Sequence, residues 1–265
     1  ALGGNQYINS PAIGRYADYL TREIIPFVDR EFRTLAAREH RGCFGKSSGG
    51  YGAMIHGMRY ARHWGAIANH SGDANFDFVY GHDWPNTLNE LAKHRNPRRA
   101  PGKYDVLAAV KAAPQLDQGE DDGRVRRFLE AVWSREKLSS GEGHAIMNVC
   151  MAASYDPDPE APLGFRLPYN LETGERLEAR WKIWRRHDPI NLVGTCRNNL
   201  QSLKGIFIDC GWRDQYHIQY GTRILARRLA EAGIAHTYEE YDDNHSDIDY
   251  RMDTSLPFLY RALKA

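Results

Sequence analysis

Several signals that would settle a function are missing from this sequence. Charge is balanced: 35 Lys and Arg stand against 34 Asp and Glu, a net of +1. That balance gives no sign of the strongly basic face by which a protein holds nucleic acid, nor of an acidic partner. Basic pairs such as Arg98-Arg99, Arg126-Arg127 and Arg185-Arg186 lie among acids and read as solvated faces. No apolar run is long enough to span a membrane, and no basic n-region with an apolar h-region opens the chain. A removed leader would leave no trace here, so the compartment stays open. Cysteine is scarce, four residues in all. Cys43, Cys150, Cys196 and Cys210 show no C-x-x-C spacing and no nearby histidine pattern, which excludes the common zinc and redox motifs. Cys43 and Cys210 fall in expected buried strands as inert thiols, and no spacing signal backs a Cys150–Cys196 disulfide. There is no internal repeat.

What is present is an ordinary globular composition, 42% hydrophobic and 26% charged, with 24 Gly and 12 Pro in 265 residues. One stretch stands out, Arg41–Gly52, which reads RGCFGKSSGGYG. A short apolar segment, Gly42-Cys43-Phe44, runs into Gly45-Lys46-Ser47-Ser48-Gly49, the pattern G-x-S-x-G, and then into a small-residue helical pattern. A serine on a sharp strand-to-helix turn needs backbone angles that crowd its neighbours, and glycines two before and two after remove the clashing Cβ atoms. The turn presents Ser47 Oγ at the helix N-terminus, where the backbone N–H of Ser48 can meet a developing oxyanion. A phosphate-binding turn is the bland alternative, but a Walker loop needs a glycine at an earlier position that is not glycine here. Ser48 itself has Lys46 two before it and fits the elbow poorly.

Elements alternate around this stretch. Ser10-Pro11 suggests an N-cap, and Gly14–Phe32 has helical periodicity with a kink or break expected near Ile25, because Pro26 lacks an N–H. Gly49, Gly50, Gly52 and Ala53 predict close approach of the helix after Ser47 to the sheet. Trp64–Asn69 predicts a buried strand. About 73–199 is richer in charge, Pro and Trp and reads as a helical insertion within a single domain spanning 1–265. Helices are expected at Asp105–Ala113, Gly123–Lys137 and His144–Ala153, with a hairpin or loop at Tyr169–Arg176. Gly205–Cys210 predicts a central parallel strand, Gln215–Ala232 a helix stopped by Gly233, and His236–Tyr241 an edge strand. A last helix is expected from about Asp247 to Leu263, with Ser246-x-x-Asp249 as its capping box and a bend at Pro257.

A nucleophilic serine needs a base, and the base an orienting acid. Asp214 follows the strand Gly205–Cys210, and His245 follows the next one, in the order Ser, acid, His. Asp209 competes with Asp214 as the acid, or serves as a structural acceptor. His70, at a strand end, is expected with Asn69, Trp212 and Tyr216 to line a pocket for substrate, while His217 suits a capping or surface role. Trp84, Trp133, Trp181 and Trp184 form either a lid over the site or a small core of their own.

With these residues in place, the chain resembles the putative-esterase family of α/β-hydrolases, which includes esterase D, feruloyl esterases and enterochelin-esterase-like enzymes. The matching residues are Leu20–Phe32, Gly45–Ala53, Ile208–Asp214, Gly221–Gly233 and Asp243–Ser246. The resemblance implies an α/β-hydrolase fold, a mostly parallel sheet with flanking helices and a helical insertion. It implies a serine carboxylesterase with Ser47 as nucleophile, Asp214 as acid and His245 as base, acting on a small-molecule or polysaccharide-linked ester. It implies no cofactor and no metal, and charge and apolar-run length add no nucleic-acid or membrane partner. Acyl transfer, thioester hydrolysis or peptidase action with the same triad are alternatives, as is a non-catalytic binding module on this scaffold. Two departures go with it. Asn244 stands where Gly often precedes the histidine. The family's first strands, one of which carries the second oxyanion donor, have no counterpart in the 13 residues before Gly14. A processed form or fragment is therefore expected, or a partner domain or chain covering the sheet edge there.

Overall fold

The computed structural model describes residues 4–96 and 121–264. The helix expected at Asp105–Ala113 lies outside them. The described chain gathers into two compact units. Within the described residues, one comprises 6–9, 15–79 and 185–264, and the other 4–5, 10–14, 80–96 and 121–184.

The first unit holds a four-stranded parallel sheet of β1 (Gly42–Lys46), β2 (Ala66–His70), β3 (Gly205–Gly211) and β4 (Thr237–Tyr241), in that spatial order. In register, Lys46 lies beside His70, His70 beside Asp209, and Gly211 beside Tyr241. Parallel strands in this register end on the same side, so every loop leaving a C-terminal end enters one region. The central strands β2 and β3 are buried, as apolar runs covered on both faces should be. Alternation divides β2 between the two faces. Ala66 and Ala68 join Phe207 and Leu259, with Phe258, Ala262 and Leu263 of the last helix packed against them. Ile67 meets Gly57 of the helix after Ser47, whose missing Cβ would lie 2.6 Å from the Ile67 side chain.

Four helices of this unit matter below: α1 (Ile25–Glu31), α2 (Ser48–Arg59), α6 (Ile218–Glu231) and α7 (Met252–Leu263). The expected break near Ile25 is a wide π-helical turn, Tyr19–Ile24, leading into α1. Pro26 removes an N–H and crowds the carbonyl four residues back, and a wider turn accommodates both. Two capping expectations are corrected, and the unsupported disulfide is absent. Ser10 caps no helix: its Oγ accepts from Ala12 N at 3.2 Å and donates to Ala153 O, while the helical run starts at Tyr16. The last helix begins at Met252 behind a 3-10 turn, with Asp247 at φ +55°, so Ser246 and Asp249 form no capping box. All four cysteines are free, so no Cys150–Cys196 bridge forms.

The second unit is helical: α3 (Trp84–Ala92), α4 (Arg124–Trp133) and α5 (Ser140–Tyr155). Ser139 and Glu142 close a capping box at the start of α5. The Tyr169–Arg176 hairpin is an antiparallel bridge turning at Gly174, φ +73°. Trp84, Trp181 and Trp184 are buried and stack with Tyr80, Tyr155 and Tyr169, so three of the four tryptophans build this unit's own core; Trp133 is exposed.

His187 and Asp188 give a prediction. Burial, helped by the Arg59 and Arg186 guanidiniums, holds His187 down at about 3. Burial raises Asp188 to about 6, outweighing the backbone N–H bonds it accepts from Phe76, Ile190 and Asn75. Below its ordinary 6.5 an unfolded histidine gains a proton that folded His187 refuses, so this group's share of stability is lost as pH falls. Folded Asp188 keeps up to about pH 6 a proton that the unfolded carboxyl releases near 3.8, so its share is gained as pH falls. Between roughly pH 4 and 6 the two slopes, each up to about 1.4 kcal/mol per pH unit, oppose each other. In His187→Gln the Asp188 slope stands alone. Unfolding free energy from denaturant titrations should then fall relative to wild type as pH rises through that window, and parallel profiles would refute it.

Candidate active site

The strand-to-helix turn at the end of β1 is built as the spacing suggests. Ser47 has φ +57° and ψ −123°, a conformation that costs a non-glycine residue about 1–3 kcal/mol. Its N–H donates to His70 O at 2.9 Å, and its C=O accepts the first bond of α2 from Tyr51 N at 2.9 Å. A Cβ on Gly45 would sit 2.6 Å from the Gly49 backbone, and one on Gly50 would sit 2.6 Å from Asn69 Oδ1. Gly49 has room around it, and Gly52 admits the Tyr7 ring rather than the sheet. The pressed glycines are thus 45 and 50, not 45 and 49. Ser48 opens α2, and its N–H lies in the first turn, where helical N–H groups have no intrahelical acceptor.

Asp214 and His245 meet. His245 Nδ1 donates to Asp214 Oδ2 at 2.7 Å, and both residues are buried. Asp214 Oδ1 accepts from Tyr216 N at 2.9 Å, so both oxygens are held. The Cys210 thiol, pushed up by burial and by the neighbouring Asp214 charge, remains protonated and reaches Asp214 Oδ2 at 3.7 Å. His245 N donates to Gln215 Oε1 at 3.0 Å, and the Tyr216 ring stands edge-on to the imidazole, 4.9 Å between centroids. Gly211 makes this possible: a Cβ there would lie 2.3 Å from Asp243 O, in the loop that delivers His245. Among the described residues, no hydrogen bond joins Ser47 to His245.

Other expected site residues sit differently. His70 has both ring nitrogens engaged, Nδ1 with Asp209 at 2.7 Å and Nε2 with Ser255 at 2.8 Å, and is buried. Asn69 is buried, with Oδ1 accepting from Gly72 N. Trp212 is 48% exposed beside Arg213, and Tyr216 is partly exposed. His217 starts α6 in the left-handed region, φ +63°. Gln215 and Ser255 carry no motif signal and become visible only through tertiary contact. Along the outer side of β1 runs an open groove of about 420 Å³, lined by Tyr7, Leu20, Phe44, Lys46, His56 and Trp64 among others.

A family model described as Putative esterase matches residues 9–253. The chain belongs to that family. Among solved structures, a ferulic acid esterase superposes on this esterase-family chain with a TM-score of 0.50 at 14% identity, covering 97% of this chain and 64% of its own. Mycobacterium tuberculosis MPT51 (FbpC1) gives 0.50 at 12% identity, covering 98% and 74%. An S-formylglutathione hydrolase from Agrobacterium tumefaciens gives 0.49 at 16%, covering 97% and 63%. At such identities the likeness shows the fold, an α/β-hydrolase with a parallel sheet and flanking helices. The chain spans under two thirds of the length of the ferulic acid esterase and of that hydrolase. No curated protein matches it. No described helix is long and apolar enough to cross a membrane.

Gly211→Ala should displace the Asp243–Asn244 backbone and with it His245. The downfield proton signal of the His245 Nδ1–H in NMR should shift or vanish, with a lowered melting temperature. A variant with an unmoved signal would show that the loop does not depend on this close approach.

Proposed function

We propose that this esterase-family chain is a serine carboxylesterase with Ser47 as nucleophile, His245 as general base and Asp214 as the orienting acid. The observation that carries the reading is the 2.7 Å His245–Asp214 bond at the strand ends of a sheet whose first strand leads into a serine at φ +57°. With Nδ1–H committed to Asp214, the neutral imidazole keeps Nε2 as the acceptor for the Ser47 Oγ proton. Ser47 Oγ then attacks the ester carbonyl carbon, and the carbonyl oxygen takes the negative charge. The Ser48 N–H and the positive end of α2 stabilise that oxyanion. His245 returns the proton to the leaving alkoxide, which departs as an alcohol and leaves an acyl group on Ser47. Water, deprotonated by His245, releases the acid. The Ser47–His245 contact closes with substrate bound, as catalytic hydrogen bonds often do. Tyr216, edge-on to the His245 ring, and the exposed Trp212 at the same strand end suit the walls of a substrate pocket. The substrate class is a carboxylic ester, small or polysaccharide-linked.

A partner chain or domain covering the outer edge of β1 is the second part of the reading. The groove there and the 44% exposed Phe44 favour it, since an open strand edge invites pairing. In protein from its native source, the outward-facing β1 amides should be protected from hydrogen exchange; rapid exchange would remove this part.

Ser47→Ala should lower hydrolysis of a short p-nitrophenyl ester by at least about a thousandfold, and Asp214→Asn by about 10³–10⁴. A fluorophosphonate probe should label the wild type at Ser47. An unchanged rate in Ser47→Ala would sink the assignment.

A further inference from the structure

A second Ser–His–Asp set lies inside the same unit. Asp209 Oδ1 accepts from His70 Nδ1 at 2.7 Å, and His70 Nε2 is hydrogen-bonded to Ser255 Oγ at 2.8 Å. Its serine is fully buried and its histidine has no free nitrogen, so no substrate can reach it. The set continues sideways. Asp209 Oδ2 accepts from Arg251 Nε at 2.9 Å, Arg251 pairs with Glu239, and Asp209 O accepts from Ser71 N at 2.8 Å. It therefore links β2, β3 and β4 to the start of α7. Burying this many polar groups is expensive unless each has a partner, and such groups are kept where they fix a geometry.

The geometry they fix is next to Ser47. The carbonyl of His70 accepts the Ser47 N–H at 2.9 Å. The first turn of α2 rests on the same carbonyl, since a Cβ on Gly50 would lie 2.7 Å from it. Ser71, the residue after it, is itself at φ +45°. A left-handed serine persists only where its surroundings over-determine it. Strand pairing fixes His70 from two sides along the sheet. Its ring, held at both nitrogens, fixes it from the face of the sheet that α7 covers.

We propose that His70 is a positioning residue for Ser47: Asp209 and Ser255 hold its ring so that its backbone carbonyl keeps the serine turn in place. The kinetic part rests on Ser47 being the nucleophile; the structural part does not.

Ser255→Ala cuts one of the two ring bonds and leaves the strands intact, and His70→Gln removes the ring. In both, the Ser47 amide should exchange with deuterium about tenfold faster, the factor expected for losing one hydrogen bond of typical net strength. Amides in α6 should keep their wild-type rates. For a short ester, kcat should fall by a similar factor while KM stays within about twofold, because a misplaced nucleophile harms the transition state more than binding. An unchanged Ser47 amide in both variants overturns the proposal. Equal acceleration at Ser47 and in α6 does so too, by showing only general destabilisation. If the wild type hydrolyses no ester, the esterase reading fails alone, and the exchange rates still decide the role of His70.

Discussion

One backbone conformation sets the terms for this site: a serine held at φ +57° between a strand and a helix. A residue with a Cβ does not rest there unaided, so the neighbouring sequence is shaped around it. Gly45 and Gly50 are glycine because backbone and the Asn69 amide occupy the space their side chains would need. Gly72 is glycine for the same reason from the other side, where a Cβ would lie 2.3 Å from Asn69 Oδ1. The strain at one residue thus fixes the identity of three others and brings the first turn of α2 against the end of β2.

The two aspartate–histidine pairs show how position along a strand divides labour between identical chemistries. Asp209 is inside β3, in register with His70, and its side chain stays within the sheet-end network. Asp214 lies three residues past the end of β3, free of the pairing register, where a loop from β4 brings His245 to it. What separates them is the second ring nitrogen. That of His70 is taken by Ser255, whereas that of His245 makes no hydrogen bond among the described residues. A histidine with one nitrogen on a carboxylate and the other open can move a proton; one closed at both ends can only hold a shape.

Much of this was legible in the sequence because parallel strands put consecutive loop ends on one side, so chain order alone groups Ser47, Asp214 and His245. The strands of GCFGK and GIFIDCG, the helix stopped by Gly233 and the Tyr169–Arg176 hairpin follow from local pattern. The commitment of His70 does not, since its partners lie 139 and 185 residues away and a histidine at a strand end looks the same whether open or closed. Ser10-Pro11 and Ser246-x-x-Asp249 carry capping signals, yet tertiary bonds and a left-handed Asp247 override them. Local propensity is a weak prior against such contacts.

Aromatic surface is distributed unevenly between the two units. In the helical unit Trp84, Trp181 and Trp184 are consumed by one another and by tyrosines, which leaves Trp133 as its exposed indole. In the sheet unit Trp64 donates its indole N–H to His56, which in turn bonds the Tyr7 carbonyl, and so fixes the segment that lies on Gly52. Trp212 is the tryptophan of that unit whose ring is neither enclosed nor hydrogen-bonded inward, and it directly follows the glycine that admits the His245 loop. Its backbone N–H pairs with Tyr241 O, so the ring is mounted on a fixed point of the sheet end rather than on a wandering loop. A flat apolar ring whose backbone is already fixed costs less entropy to order against a ligand than one on a mobile loop, which is why Trp212 suits the pocket wall proposed above.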